Sequence, residues 1–309
     1  MSASTTSLAP AGTGAPDDHG THRLAYLAAL APVIFGTTYL LTTQFLPPGR
    51  PLLAATVRSL PTGLVLIIGS RRPPRGWWLR FLILSVLYCS ALFPLLFIAA
   101  YRLPGGVASV INSLTPILVI LISVPLLGTR IRPIQIVAGL LGVLGVALLV
   151  LRSTAQLDLW GILAMVGCVI MMGVGTVLTK RWGHPPEMNA IGFTGWTFLL
   201  GGIVLLPFTL IVEGLPDQLT GRNIGGLVYL VAISGITAYA LWFWGLQHLP
   251  ASSVTFLSLL NPVVAAILGW IVLSQDLNLG QIFGAVLVLI SVVLGQSLRR
   301  RHTPVPTNS

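Results

Sequence analysis

The chain has 309 residues, of which 55% are hydrophobic and 8% charged, and its mean hydropathy is +0.91. Soluble domains carry about a quarter charged residues because their surfaces face water, so this composition excludes an ordinary soluble protein and predicts a membrane protein. The net charge of +10 comes from short basic clusters between apolar runs, such as residues 71–80 and 299–301, which suit a lipid bilayer and argue against a nucleic-acid partner.

The N-terminal segment, residues 1–21, is rich in Ser, Thr, Ala, Gly and Pro and is predicted to form a disordered cytoplasmic tail. It lacks the basic start and apolar core of a cleavable signal peptide. A helix needs about 20 apolar residues to cross the hydrocarbon core. Ten such runs follow, at residues 24–45, 52–70, 77–100, 107–127, 134–151, 159–179, 189–212, 224–246, 251–273 and 279–297. The predicted fold class is therefore all-α integral membrane, with ten transmembrane helices.

Lys and Arg set the predicted orientation, because positive loops stay in the cytoplasm. Most of them lie on the side of the N-terminus, whereas the opposite side holds Arg50, Arg102, Arg152 and Arg222. Both termini are therefore predicted to be cytoplasmic.

The chain also repeats itself at a constant offset. A shift of 146 residues lays Leu103-Pro104 on Leu249-Pro250 and Pro116 on Pro262. Five spans are an odd number, so the second copy enters the membrane from the opposite side, as in many secondary transporters. The sequence thus predicts two inverted five-helix repeats, at 22–152 and 153–298, followed by a basic cytoplasmic tail at 299–309.

The fourth and ninth spans each carry a polar stripe that ends near a mid-span proline. A proline removes a backbone donor and frees a carbonyl, and irregular helices at matched positions of two repeats point to a binding site at the midplane. Interhelical packing by small polar residues is the alternative. The candidate substrate-binding residues on these stripes are Ser109, Asn112 and Pro116 in the first copy and Thr255, Ser258, Asn261 and Pro262 in the second.

Further candidates lie on the first, second and eighth spans. Tyr39, Thr42 and Tyr239 combine polar tips with a position inside a span. The two tyrosines could equally belong to the aromatic belt at the membrane interface. For Trp242 the interfacial belt is the preferred interpretation. Arg58 is the one charge clearly inside a span, and such a charge is a functional hypothesis by default. Its alternative is snorkelling to the outer headgroups; as a functional residue it could hold an anionic substrate group.

Several kinds of chemistry are not visible in the sequence. No Asp or Glu lies deep in a span, no phosphate-cradling loop ending in Gly-Lys-Ser or Gly-Lys-Thr occurs, and the five histidines lie in tails or at span ends. We therefore predict no cofactor, no metal site and no catalytic residues. A membrane-embedded enzyme and an ion channel are both disfavoured.

The repeated element Leu-Pro-(x)11-Pro, followed by a Gln and a Gly-rich helix, resembles the EamA-type members of the drug/metabolite transporter superfamily. Residues 29–39, 57–61 with Gly63, 77–80 and 99–108 further resemble its PecM-like subgroup, whose members are described as exporters of a blue pigment, indigoidine. The resemblance covers residues 24–297 and implies alternating access around a central cavity. It also supports functional positions for Tyr39, Arg58 and the two proline kinks.

The sequence departs from that pattern at several positions. Phe35 replaces the family's usual Trp, and Gln44 and Thr129 stand where acidic residues are common. Because these carboxylates are missing and arginine keeps its proton, we expect facilitated movement down the substrate's gradient, or protons carried by the substrate itself.

Together these features predict a bacterial inner-membrane exporter of a small metabolite, with aromatic or amino-acid-derived compounds as candidates. An amino-acid exporter of broader range is the alternative. The expected partners are the metabolite and the lipid bilayer, and the chain would act as a monomer or a homodimer.

The predicted orientation can be tested by cysteine labelling of intact cells. A membrane-impermeant maleimide should label single cysteines placed near residues 50, 102, 155 and 218, because these loops face outward. It should not label cysteines near residues 73, 131 and 184. Labelling near residue 73 in intact cells would reverse the topology.

Overall fold

The computed structural model describes residues 18–103, 105–150, 158–216, 218–273 and 278–297, and all regular secondary structure in these ranges is helical. A 3₁₀ turn covers Arg75–Trp77, and π-helical segments cover Val86–Ser90 and Leu230–Thr237. The α-helices are α1 Asp18–Gly36, α2 Thr38–Phe45, α3 Pro51–Leu66, α4 Trp78–Ser85, α5 Leu92–Arg102, α6 Gly105–Asn112, α7 Thr115–Leu127, α8 Pro133–Val150, α9 Leu159–Trp182, α10 Ala190–Val212, α11 Gly221–Tyr229, α12 Ala238–His248, α13 Ala251–Leu257, α14 Leu260–Leu273 and α15 Leu279–Ser297.

Within these residues, nine helical stretches are long and apolar enough to cross a membrane. Large apolar side chains such as Leu140 and Ile203, exposed by 58% and 51%, cover their outer faces, as contact with lipid requires. The nine stretches are Tyr26–Phe45, Arg75–Arg102, Val107–Leu127, Pro133–Val150, Leu159–Trp182, Ala190–Val212, Gly221–His248, Ala251–Leu268 and Leu279–Gln296.

The remaining predicted span, 52–70, coincides with the shorter apolar helix α3. Its 16 residues extend over about 24 Å, less than the ~30 Å of a typical hydrocarbon core. The count of ten spans therefore stays a prediction.

Five of the long stretches are irregular near their middle. The first breaks at Thr37, between α1 and α2. The fourth and ninth predicted spans break into α6 and α7 and into α13 and α14, with Ser113-Leu114 and Ser258-Leu259 between the parts. The third and eighth contain the two π-helical segments. A π-helical turn leaves backbone carbonyls without their usual partners and is frequent at functional sites.

Two helix pairs pack most closely, α3 against α10 and α8 against α15. Glycines bring each pair together, because a side chain at these positions would strike the partner's backbone. A Cβ on Gly145 would lie 2.8 Å from the carbonyl oxygen of Gly284, and one on Gly202 would lie 2.6 Å from Cα of Leu60. Small residues at helix crossings allow this approach in membranes.

Replacing Gly63, on α3, tests how much the bundle depends on this close packing. A Cβ there would collide with the backbone of Leu199 on α10, so Gly63→Ala should destabilise the protein by about 1–3 kcal/mol. The measurement is the thermal unfolding midpoint of the purified protein in detergent. Gly76→Ala is the matched control because a Cβ at Gly76 meets nothing within 4 Å. Equal midpoints for the two variants would contradict this account of the packing.

Candidate functional site

A cavity of about 150 Å³ lies in the interior of the bundle. An engineered cavity of ~150 Å³ in another protein holds a benzene molecule, so this volume suits one ring-sized group. The lining residues come from α1, α2, α3, α5, α6, α9, α12 and α14. They are Phe35, Gly36, Thr38, Thr42, Arg58, Leu92, Leu96, Phe97, Ala100, Ala108, Ser109, Asn112, Met165, Cys168, Met172, Tyr239, Asn261 and Ala265.

Arg58 is the charged residue in this lining, and its side chain is only 1% exposed. Its Nη2 donates a hydrogen bond of 2.8 Å to Oγ of Ser234, in the second π-helical segment. Its guanidinium carbon lies 4.7 Å, 5.3 Å and 5.7 Å from the ring centroids of Phe93, Tyr239 and Phe35. The side chain therefore does not reach outward to headgroups, and snorkelling is wrong as its explanation.

Much of the hydrogen-bonding capacity around the cavity is unused. Nε and Nη1 of Arg58 have no hydrogen-bond partner, and neither has Oδ1 of Asn261. Buried polar groups in proteins nearly always have partners, and an unpaired one costs free energy. The residues that line the cavity thus include a cation and an amide acceptor with unused hydrogen-bonding capacity, and the unpaired atoms themselves lie just beneath the cavity surface.

The carboxylates in the described ranges lie elsewhere. Glu213 accepts hydrogen bonds from the backbone N–H groups of Leu52 and Leu53, at 2.7 Å and 2.8 Å, at the start of α3. Glu187 pairs with Arg71 and Asp158 with Arg102, both at well-exposed positions. In the same ranges, no group of three or more His, Cys, Asp or Glu residues could hold a metal ion.

The helix breaks bring two asparagines to the cavity. Asn112 is the last residue of α6, and Asn261 lies in the first turn of α14. Hydroxyl groups next to the breaks bond to carbonyls of their own chain segment: Thr115 Oγ1 donates to Asn112 O at 2.7 Å and Ser258 Oγ to Thr255 O at 2.6 Å. Such local bonds replace those lost at a break.

Six of the predicted site residues line the cavity: Thr42, Arg58, Ser109, Asn112, Tyr239 and Asn261. Pro116 and Pro262 are buried but do not line it. Pro116 lies beyond its helix break, on α7, whereas Pro262 lies on α14 directly after Asn261, which does line the cavity. Thr255 and Ser258 are also absent from the lining, and their hydroxyls bond to backbone carbonyls of their own helix. Tyr39 belongs to α2, and its side chain lies outside the described part of the structure. That these residues bind substrate stays a prediction.

Sequence reasoning missed the apolar wall of the cavity. Met165, Cys168 and Met172 come from α9, which carries no polar stripe to mark its inner face. Their spacing of three and four residues is the one available signal.

The interfacial position predicted for Trp242 is wrong. Its side chain is 1% exposed, and its ring centroid lies 6.2 Å from that of Phe35.

The two ends of the cavity differ. Towards Pro48 and Arg102 it meets a second cavity of about 410 Å³, with which it shares Thr42 and Ala100. Towards the opposite end the bundle is filled by an aromatic column, in which neighbouring ring centroids lie 4.9–5.3 Å apart. The column consists of Phe81, Tyr88, Phe193 and Phe243, all at most 1% exposed.

Comparison with known proteins identifies the family. The model of the EamA-like transporter family matches residues 23–151 and again 159–295. Protein PecM of Dickeya dadantii (strain 3937) is 41% identical over 276 residues, which cover 89% of this chain and 93% of that protein. A protein of Salmonella typhimurium (strain LT2) named "Probable amino-acid metabolite efflux pump" is 25% identical and covers 89% of this chain and 96% of its own length.

A solved crystal structure has the same fold, with a TM-score of 0.74 at 19% identity, over 90% of this chain and 99% of that chain. The two family matches together span most of the sequence. The chain therefore belongs to the EamA-like transporter family, and it is a multi-pass membrane transporter rather than an enzyme.

Proposed function

We propose that the protein is a secondary exporter in a bacterial inner membrane that moves a small metabolite outward by alternating access. The observation that carries this proposal is the central cavity, which leads towards one end of the bundle and is separated from the other by the aromatic column. A site that faces one side at a time is what alternating access requires.

Helix packing supports ten spans arranged as two inverted repeats. The first five predicted spans contain α1, α3, α5, α7 and α8, and the last five contain α9, α10, α12, α14 and α15 in the same order. When each span is exchanged with its counterpart in the other half, the contacting pairs α3–α10 and α8–α15 stay unchanged. The pairs α1–α12 and α1–α14 become α9–α5 and α9–α7, and these helices are also in contact. A pseudo-two-fold axis in the membrane plane produces such a pattern.

The predicted topology, with both termini cytoplasmic, gives this cavity a direction. The end near Pro48 and Arg102 then faces outward, so the structure represents the outward-facing state. Loading from the cytoplasm requires the aromatic column to open. The π-helical segment Val86–Ser90 contributes Tyr88 to the column, and the segment Leu230–Thr237 directly precedes α12, which carries Phe243. Such irregular turns are suited to act as hinges.

The substrate class is proposed to be aromatic or amino-acid-derived. The lining combines an apolar wall with a few polar groups, which is the usual composition of a small-molecule site. An amino-acid exporter of broader range is the second candidate, and the name of the Salmonella relative favours it.

Transport assays with a blocked cavity test the proposal. Inverted vesicles containing the protein are offered a panel of amino acids, aromatic carboxylates, amines and neutral analogues. At least one compound should enter faster than in empty vesicles. Ala108→Trp and Ala265→Trp fill the cavity from two walls and should each reduce uptake to the level of empty vesicles.

Leu140→Trp is the matched control because Leu140 is 58% exposed on the outer face of α8. It introduces the same side chain away from the cavity and should leave uptake unchanged. Full transport by both cavity variants, at normal expression, would place the transport path elsewhere.

A further inference from the structure

The Arg58 guanidinium carries a charge that the described structure does not neutralise. The side chain is 1% exposed, and no described carboxylate forms an ion pair with it. A buried charge without a partner is strongly unfavourable, so proteins pair such charges or use them to bind ligands. The three surrounding rings offset part of this cost through cation–π contact.

Two of the three guanidinium nitrogens have no partner in the protein, so a small side-chain movement towards the cavity would offer them to a ligand without breaking a hydrogen bond that they make. Nη2 is engaged by Ser234, whereas Nε and Nη1 are without partners, although an arginine fork is well suited to bind a carboxylate. A residue that served only to hold α3 against the second π-helical segment would not need to line a cavity.

We infer that the cavity binds a small organic carboxylate with an apolar body, and that Arg58 pairs with the carboxylate. This inference rests on the proposed function, since it takes the cavity to be the transport site. The apolar body would lie against Met165, Met172 and Leu96. A free inorganic anion would leave that wall without a partner, which favours an organic anion.

The cavity's unpaired acceptor defines the substrate class further. Oδ1 of Asn261 has no donor, so a carboxylate that also carries an N–H or O–H group would satisfy both walls. Amino acids with apolar side chains and hydroxylated aromatic acids have this combination. Arg58 pairs with the carboxylate, so the experiment tests the contribution of the carboxylate alone.

Benzoate is the probe, because its ring matches a cavity of about 150 Å³. Benzamide has nearly the same shape without the charge, and benzylamine reverses the charge. The thermal midpoint of the purified protein is followed by tryptophan fluorescence at constant chloride concentration and ionic strength. Benzoate should raise the midpoint in a saturable manner, whereas benzamide and benzylamine should not.

Variants at Arg58 assign the effect to this residue. Arg58→Gln should weaken benzoate binding roughly 30-fold or more, the typical loss when one partner of a buried charge pair is removed. The benzoate affinity of Arg58→Lys should lie between that of the wild type and that of Arg58→Gln, because lysine keeps the charge and loses the planar fork. Arg72→Gln removes the same charge at an exposed position and should bind benzoate like the wild type.

The outcomes separate this inference from the proposed function. Equal stabilisation by benzoate and benzamide, no stabilisation by benzoate, or an unchanged benzoate affinity in Arg58→Gln would each overturn the anion site. Transport of panel compounds would be unaffected by that failure. Conversely, benzoate binding that depends on Arg58, without transport of any panel compound, would retain the site and overturn the exporter.

Discussion

The guanidinium of Arg58 within its aromatic cage is the interaction on which the centre of the molecule depends. Removing such a group from water costs several kcal/mol, and the compensating contacts come from distant parts of the chain. Phe35 and Phe93 belong to the first predicted repeat, and Tyr239 and Ser234 to the second. The charge therefore lies where the two halves meet, and any relative movement of the halves changes its surroundings.

The remaining helices divide into a close-packed part and an irregular part. The pairs α3–α10 and α8–α15 are joined by glycine contacts that a single added carbon would disrupt, so they can shift little against each other. Breaks and π-helical turns are concentrated in the spans that line the cavity or close it. In lipid, freed carbonyls are tolerated only where protein or a cavity surrounds them, which explains why the irregular spans lie inside the bundle.

Sequence reasoning identified the helical membrane fold because length and hydropathy determine it locally. It also found Arg58 and the two asparagines, since polar residues are conspicuous in apolar spans. It could not show that Thr255 and Ser258 stay outside the cavity lining, because the spacing of polar residues does not reveal that their hydroxyls bond to carbonyls of their own helix. The rings around Arg58 and the apolar wall of the cavity were not predicted either, because hydropathy does not show which residues an apolar side chain contacts or which side of the helix faces the cavity.

The charge of the inferred ligand bears on how transport could be driven. No described carboxylate lines the cavity, and arginine stays protonated at physiological pH, so the lining offers no evident group that alternately takes up and releases a proton. A carboxylate that leaves the cell as an anion needs no such group. The membrane potential, negative inside, favours its exit by about 2.3 kcal/mol per 100 mV and elementary charge, which corresponds to a concentration ratio of roughly 50. Arg58 would then lower the barrier for the anion at the midplane, because its fixed charge replaces the water that the anion loses there.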